Sequence, residues 1–185
     1  MPERPKILAR RTTTSSRFLQ TEQVDLEFSN GVRRTHERVT GSGFGAAIIV
    51  PMLDADTVVL VREYGAGLDH YELGLPKGRL DPGETAEQGA NRELKEEAGY
   101  GARSLRVIGS LSLAPTYMAH RAHIVLAQDL YPEKLEGDEP EPLEVVLWKL
   151  SELHTLIARD DVTEGRSIAA LFMAREYLAG RYQPQ

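Results

Sequence analysis

Apolar residues along this chain follow two rhythms. GFGAAIIVPML at 43–53 and TVVLVREY at 57–64 are nearly continuous apolar runs rich in Ile and Val, separated by Asp54-Ala55-Asp56. Short runs of this kind, with β-branched residues and polar turns at their ends, predict buried strands. SLRVIGSLSLA (104–114), HRAHIVLAQDL (120–130) and LEVVLWKL (143–150) predict three more, and Trp148 is expected to fill core. Upstream, VDLEFSNGVRRTHERV sets Asn30-Gly31 between two strand-like runs, a strong hairpin signal. TTTSS at 12–16 reads as a polar connector, and the glycines and prolines between Gly65 and Gly83 read as loop. Residues 1–44 are therefore expected to form a small antiparallel β layer ahead of a larger domain at 45–185.

Between Thr85 and Gly99 the rhythm changes to an apolar residue at every fourth position: Ala86, Ala90, Leu94 and Ala98. Thr85 and Gln88 have the spacing of a capping box and Gly99 is a left-handed stop, so 86–98 is predicted as a helix of about three turns. Ile168, Leu171, Phe172, Arg175 and Leu178 predict a terminal helix that stops at Gly180. Strands dominate, with one helix in the middle and one at the end. That order points to the α/β (α+β) class, a mixed sheet with helices on its faces.

Composition narrows the chemistry. The 185 residues include no cysteine, which excludes disulfides, thiolate metal sites and a cysteine nucleophile. A formal net charge of −6 argues against a nucleic-acid backbone as partner. No apolar run is long enough for a membrane span and no signal-peptide core opens the chain, so a cytoplasmic protein with no membrane partner is expected.

The middle helix carries the chemistry. At ~100° per residue, Glu93 and Glu97 fall about 40° apart on the border of the apolar stripe, with Glu96 just beyond Glu93. Gly89 shares that border, and a mid-helix glycine costs roughly 1 kcal/mol against alanine, so close approach of some group to the helix is expected there. Glu93 and Glu97 repel one another at this spacing, and a divalent cation converts the repulsion into ligation. Oxygen donors without His or Cys select a hard cation, Mg2+ first and Mn2+ as its substitute. The preceding loop, ELGLPKGRLDPGE, offers carbonyls to the cation and Lys77 and Arg79 to phosphate oxygens. A solvated acidic face is the competing reading, and the mid-helix glycine and the carboxylates beside the stripe count against it.

The segment also resembles a named pattern. Gly78, five residues, Glu84, seven residues, Arg92-Glu93-Leu94, one residue, Glu96-Glu97, one residue, Gly99 and a bulky apolar residue is the signature of the Nudix hydrolases. Its seven fixed positions would coincide by accident in about one window in 10^8. Tyr100 stands where an aliphatic residue is commoner. The resemblance implies the Nudix fold, an α/β/α sandwich around a mixed β-sheet, and hydrolysis of a nucleoside diphosphate linked to another group. It implies Glu93 and Glu97 as metal ligands, Glu96 as a supporting ligand within the catalytic group, and the Lys77 carbonyl as a further ligand. Gly78, Glu84 and Arg92 are implied to brace the loop against the helix.

Pro115 lies fifteen residues beyond Tyr100, as in the ADP-ribose pyrophosphatase subgroup, and Tyr117 matches a tyrosine of diadenosine polyphosphate hydrolases. Both are implied to contact substrate. An N-terminal sheet layer is also typical of the subgroup, where it mediates an exchanged homodimer. VDLEFSNGVRR, YELG, DPGE, ANRELKEE and AQDLYPE carry the resemblance through most of the chain, toward bacterial hydrolases of ADP compounds. This implies Mg2+-dependent cleavage of ADP-ribose, NADH or diadenosine triphosphate to AMP and the phosphorylated remainder. A non-catalytic Nudix-fold sensor of an ADP-ribose-like ligand is the alternative, which erosion of the carboxylates would favour; Glu84, Glu93, Glu96 and Glu97 are all present.

LEGDEPEPLEVV precedes the last strand, and the subgroup carries a glutamate pair there, one activating water and the other reaching a metal; spacing backward from the strand matches Glu139 and Glu141. A solvated acidic loop is the other reading. Arg62 in VREY and Glu72 in YELG match positions that contact the nucleotide or brace its pocket, and either reads equally as a surface ion-pair member. His36, His70, His120, His123 and His154 form no cluster with ligand spacing.

Overall fold

The computed structural model describes residues 3–16, 20–40 and 45–184. Its strands run β1 (Lys6–Ser15), β2 (Gln20–Glu27), β3 (Arg33–Thr40), β4 (Ala46–Pro51), β5 (Thr57–Gly65), β6 (His70–Gly74) and β7 (Lys77–Arg79). After helix α1 (Ala86–Ala98) come β8 (Tyr100–Ser112), β9 (Met118–Ala119), β10 (Arg121–Pro132) and β11 (Glu144–Lys149). A short helix α2 (Leu153–Leu156) and the terminal helix α3 (Gly165–Leu178) complete the chain.

The chain divides into two compact units, Met1–Gly45 with Ser112–Arg121, and Ala46–Leu111 with Ala122–Gln185. The boundary expected at 44/45 abuts residues 41–44, which lie outside the described residues. In the first unit β1, β2 and β3 form an antiparallel meander, and β9 joins β3 in parallel. The β2–β3 turn places Gly31 at φ 79°, a left-handed conformation that glycine adopts without steric cost. Thr12–Ser15 are not a connector: they continue β1, with Thr12 opposite Glu22 and Ser15 opposite Gln20. Threonine is stiff at Cβ and favours strands, so a polar threonine run on an exposed sheet forms strand as readily as an apolar one.

In the second unit, parallel pairing of β4 with β10 and antiparallel pairing of β4 with β7 make the central sheet mixed, in the order β7-β4-β10-β8. A second sheet runs β11-β5-β6. Period-two alternation sorts β4 between two cores. Ala46, Ile48 and Val50 pack with Leu60, Leu73, Leu171 and Ala174 on the α3 side. Ala47 and Ile49 pack with Val59, Val61, Ala90 and Leu94 on the α1 side. The result is the expected layering of helix, sheet and helix. Trp148 is half-buried against the α3-side core.

Two expectations about extent change. The 65–83 stretch holds β6 and β7, each five residues or fewer. Strands this short show too little alternation to be recognised, and Gly74-Leu75-Pro76 marks the break between them rather than their absence. β8 begins at Tyr100, immediately after the Gly99 stop, instead of at 104. Among the described residues no helix is long and apolar enough to cross a membrane.

Gly89 explains itself in the packing. A Cβ there would lie 2.4 Å from Leu80 Cδ2 and 3.0 Å from Glu84 Oε2, so the loop side chains rest directly on the helix backbone. Gly89→Ala is expected to destabilise by about 1–2 kcal/mol, because overpacking of the buried Leu80 outweighs the ~1 kcal/mol that alanine contributes to helix propensity. Thermal unfolding checks the sign; a raised Tm would mean that Leu80 yields freely.

Candidate active site

Helix α1 is held at both ends by its own sequence. Thr85 Oγ1 accepts from Gln88 N at 3.2 Å while Gln88 Oε1 accepts from Thr85 N at 2.9 Å. Gly99, at φ 74°, donates its N–H to the Leu94 carbonyl. With the ends fixed, the helix turns Gly89, Ala90, Leu94, Glu97 and Ala98 inward. A glutamate thus sits among the core residues, with Glu97 only 6% exposed.

The strand opposite is β7, which pairs Lys77 with Ile48 and Gly78 with Ala47 of β4. Lys77 N donates to Glu97 Oε2 at 3.1 Å. A Cβ on Gly78 would stand 2.0 Å from Glu93 Cδ, so glycine is what lets the Glu93 carboxylate reach the strand backbone. Burial pushes Glu97 up to about 8, with Glu93 and Glu63 adding to the rise and Lys77 opposing it. Burial likewise raises Glu93, against the pull of Arg92.

Arg92 organises the outer carboxylates. Its guanidinium donates to both Glu84 oxygens (2.9 and 3.0 Å), to Glu93 (2.8 Å), to Glu96 (3.0 Å) and to the Arg79 carbonyl (2.9 Å). Glu84 also accepts from Asp81 N at 2.8 Å. The Arg92 guanidinium holds the Glu84 carboxyl below the usual carboxylate range. Loop and helix are tied together through this one side chain.

The other expected residues fall in three places. Glu139 is exposed in the loop before β11, where the charges of Glu63, Asp138 and Lys77 act on it; partial desolvation, Glu63 and Asp138 raise its pKa. Glu141 accepts from the Tyr71 hydroxyl instead. Arg62 donates to Glu144 at 2.8 Å and Asp161 at 2.6 Å, and Glu72 accepts from Thr163 N at 2.9 Å and pairs with His70. In this structure both therefore serve contacts among the 62–74 hairpin, the start of β11 and the 159–164 segment. Pro115 and Tyr117 belong to the first unit, where they line a cleft of about 290 Å3 with Val24, Phe28 and His36.

Glu63 was not singled out by the sequence. It accepts from Lys77 Nζ at 2.5 Å and contributes to the pKa of both Glu97 and Glu139. Its signal was present: Val59, Val61 and Glu63 alternate on one face of β5, and the third is a carboxylate where the pattern asks for an apolar side chain.

Among the described residues no three His, Asp or Glu side chains are already gathered as a metal-ligand set. The residues nonetheless fit a hard divalent cation. The donors are all oxygen, as Mg2+ requires. Glu97 is buried with a single peptide N–H bonded to its carboxylate, and Gly78 leaves the cradle that a Cβ would fill. Uncompensated buried carboxylates are costly, and a cation is the ordinary remedy.

Residues 43–171 match the NUDIX domain, and residues 5–38 match the NudE-type Nudix hydrolase N-terminal domain. The chain is 50% identical to the ADP compounds hydrolase NudE of Escherichia coli K12, over 97% of this chain and 96% of that one. It is 29% identical to the ADP-ribose pyrophosphatase of Bacillus subtilis, over 90% of each. A crystal structure of an ADP compounds hydrolase superposes with a TM-score of 0.90 at 50% identity, covering 98% of this chain and 97% of that one. With signature, layered fold and full-length likeness in agreement, this chain belongs to the Nudix hydrolase family.

Proposed function

We propose that the chain hydrolyses the pyrophosphate bond of ADP-containing compounds, ADP-ribose, NADH and diadenosine triphosphate, with Mg2+ or in its place Mn2+, releasing AMP and the phosphorylated remainder. The observation that carries this reading is the burial of Glu97 beside Glu93 against the Lys77–Gly78 strand. The 50% identical relative named as an ADP compounds hydrolase supports the substrate class.

Glu93 and Glu97 are assigned as ligands, with Glu96 and the Lys77 carbonyl in support. A divalent cation bound there supplies charge neutralisation on the phosphates and lowers the pKa of water. The residues do the positioning: Arg92 aims Glu93 and Glu96, and Gly78 admits the Glu93 carboxylate to the strand. Glu139 is assigned as the general base, since its raised pKa brings it nearer the working pH of a proton acceptor. Positioning and neutralisation then carry most of the acceleration. The first unit supports a homodimer: Val24 is its buried hydrophobic residue among the described residues, while Ile7 and Leu8 are each 48% exposed.

Glu139→Gln is expected to lower kcat by about 10^2-fold with little change in KM. If Glu141→Gln alone behaves so, the two loop roles are exchanged. Product analysis by mass spectrometry in 18O-labelled water, across ADP-ribose, NADH and diadenosine triphosphate, identifies both the preferred substrate and the phosphorus attacked. No turnover of any of the three at saturating Mg2+ would overturn the enzymatic reading.

A further inference from the structure

Arg92 supplies positive charge to the carboxylates at the outer side of α1, and Lys77 supplies it on the side of the sheet. From β7 the Lys77 ammonium reaches Glu63 on β5, with side chains only 23% and 32% exposed. The Lys77 backbone N–H meanwhile donates to Glu97 on α1, so the lysine that reaches Glu63 also lies against a proposed ligand. One lysine thus joins carboxylates from two separate segments, Glu63 through its ammonium and Glu97 through its backbone N–H.

An ordinary ion pair does not need this arrangement. A surface pair contributes little, and a shielded one usually repays its desolvation only when both ions are fully satisfied. Here the Glu63 carboxylate accepts from one ammonium, while Glu63 itself raises the pKa of both Glu97 and Glu139. Glu63 therefore adds to the negative charge around the proposed ligands and also fixes where the lysine rests. Lysine suits a movable role: its compact charge sits on a flexible four-carbon stem with three rotatable donors.

We infer that the Lys77 ammonium is a built-in placeholder cation, parked on Glu63 beside the proposed ligand Glu97, that turns to a phosphate oxygen of the substrate when a divalent cation takes over its place. Lys77 is then a catalytic residue through its side chain, and Glu63 is a positioning residue acting through Lys77. The inference rests on the reading of Glu97 as a metal ligand.

The test uses the full chain with Lys77→Met, Lys77→Arg and Glu63→Gln. Mg2+ affinity is measured calorimetrically without substrate, and kcat with ADP-ribose at saturating Mg2+. Lys77→Met is expected to bind Mg2+ about 5–10-fold more tightly, because a competing charge is gone, yet to turn over about 10^2-fold more slowly. Glu63→Gln is expected to bind Mg2+ several-fold more weakly, since its lysine is left to the remaining carboxylates, and Lys77→Arg is expected to keep Mg2+ affinity near that of the unaltered chain. Opposite movements of metal affinity and turnover in Lys77→Met are what a merely structural tie would not produce. If the unaltered chain binds Mg2+ and hydrolyses ADP-ribose while Lys77→Met is indistinguishable from it, or loses both properties together, the placeholder role is overturned and the ligand reading stands. If the unaltered chain binds no Mg2+, both fall.

Discussion

Glu97→Gln should lower kcat by about 10^3-fold or more while the chain keeps its fold, because the glutamine amide replaces the buried carboxylate of a proposed ligand with a neutral group. The same variant should be the more stable protein when divalent cations are chelated. Burial raises Glu97 from 4.5 to about 8 in the folded chain. Between those values the folded chain holds a proton that the unfolded chain has released, so stability is fully present below about pH 4.5 and falls as pH rises toward 8. A shift of this size corresponds to a few kcal/mol. Denaturant unfolding with chelator should therefore show Glu97→Gln gaining on the unaltered chain from pH 5 to pH 8. Mg2+ should raise the Tm of the unaltered chain and leave the variant nearly unmoved. A kcat within tenfold of the unaltered chain at saturating Mg2+ would remove Glu97 from the ligand set.

Arg92→Met should destabilise by about 3–5 kcal/mol, the usual cost of removing one partner from a shielded ion cluster. Arg92 is 24% exposed in its side chain and joins Glu84, Glu93, Glu96 and the Arg79 carbonyl, so its loss leaves three carboxylates without their shared cation. The pH dependence has the opposite sign to that of Glu97. Glu84 is lowered by Arg92, so the stability lent by this pair is present above the ordinary carboxylate pKa and is lost as pH falls through the folded value. Urea unfolding should accordingly show a wide gap between Arg92→Met and the unaltered chain at pH 7, and a gap that narrows as pH falls below the ordinary carboxylate range. Arg92→Lys should recover only part of the loss, because an ammonium cannot span both Glu84 oxygens as the guanidinium does. A gap below 1 kcal/mol at pH 7 would show that the loop does not depend on this side chain.

The helix that carries the carboxylates was legible because its determinants are local. Thr85 and Gln88 close the first turn, Gly99 stops the last, and the apolar residues at every fourth position choose the buried face. The sequence also marked Gly89 as a point of close approach, but what approaches is Leu80 and Glu84, brought there by the loop's path. β6 and β7 escaped notice because their pairing partners, β5 and β4, supply most of what makes them strands. The reading of Thr12–Ser15 failed for a related reason: polar composition speaks of exposure, whereas strand formation follows backbone preference and the neighbouring strand.

The sequence by itself determined the signature, the caps of α1 and the set of acidic residues available to a cation, since each depends on spacing within a few turns or a fixed motif. Tertiary structure alone decided how those acids divide. Glu84, Glu93 and Glu96 gather on Arg92 because loop and helix are pressed together. Glu63 on β5 and Glu97 on α1 come to Lys77 from segments far apart in sequence, Glu63 meeting its ammonium and Glu97 its backbone N–H, although β7 and β5 belong to different sheets. Burial raises Glu97, while the similar side chain at Glu84 is lowered by a guanidinium. Identical carboxylates acquire different tasks through the charge and exposure that the fold imposes on each.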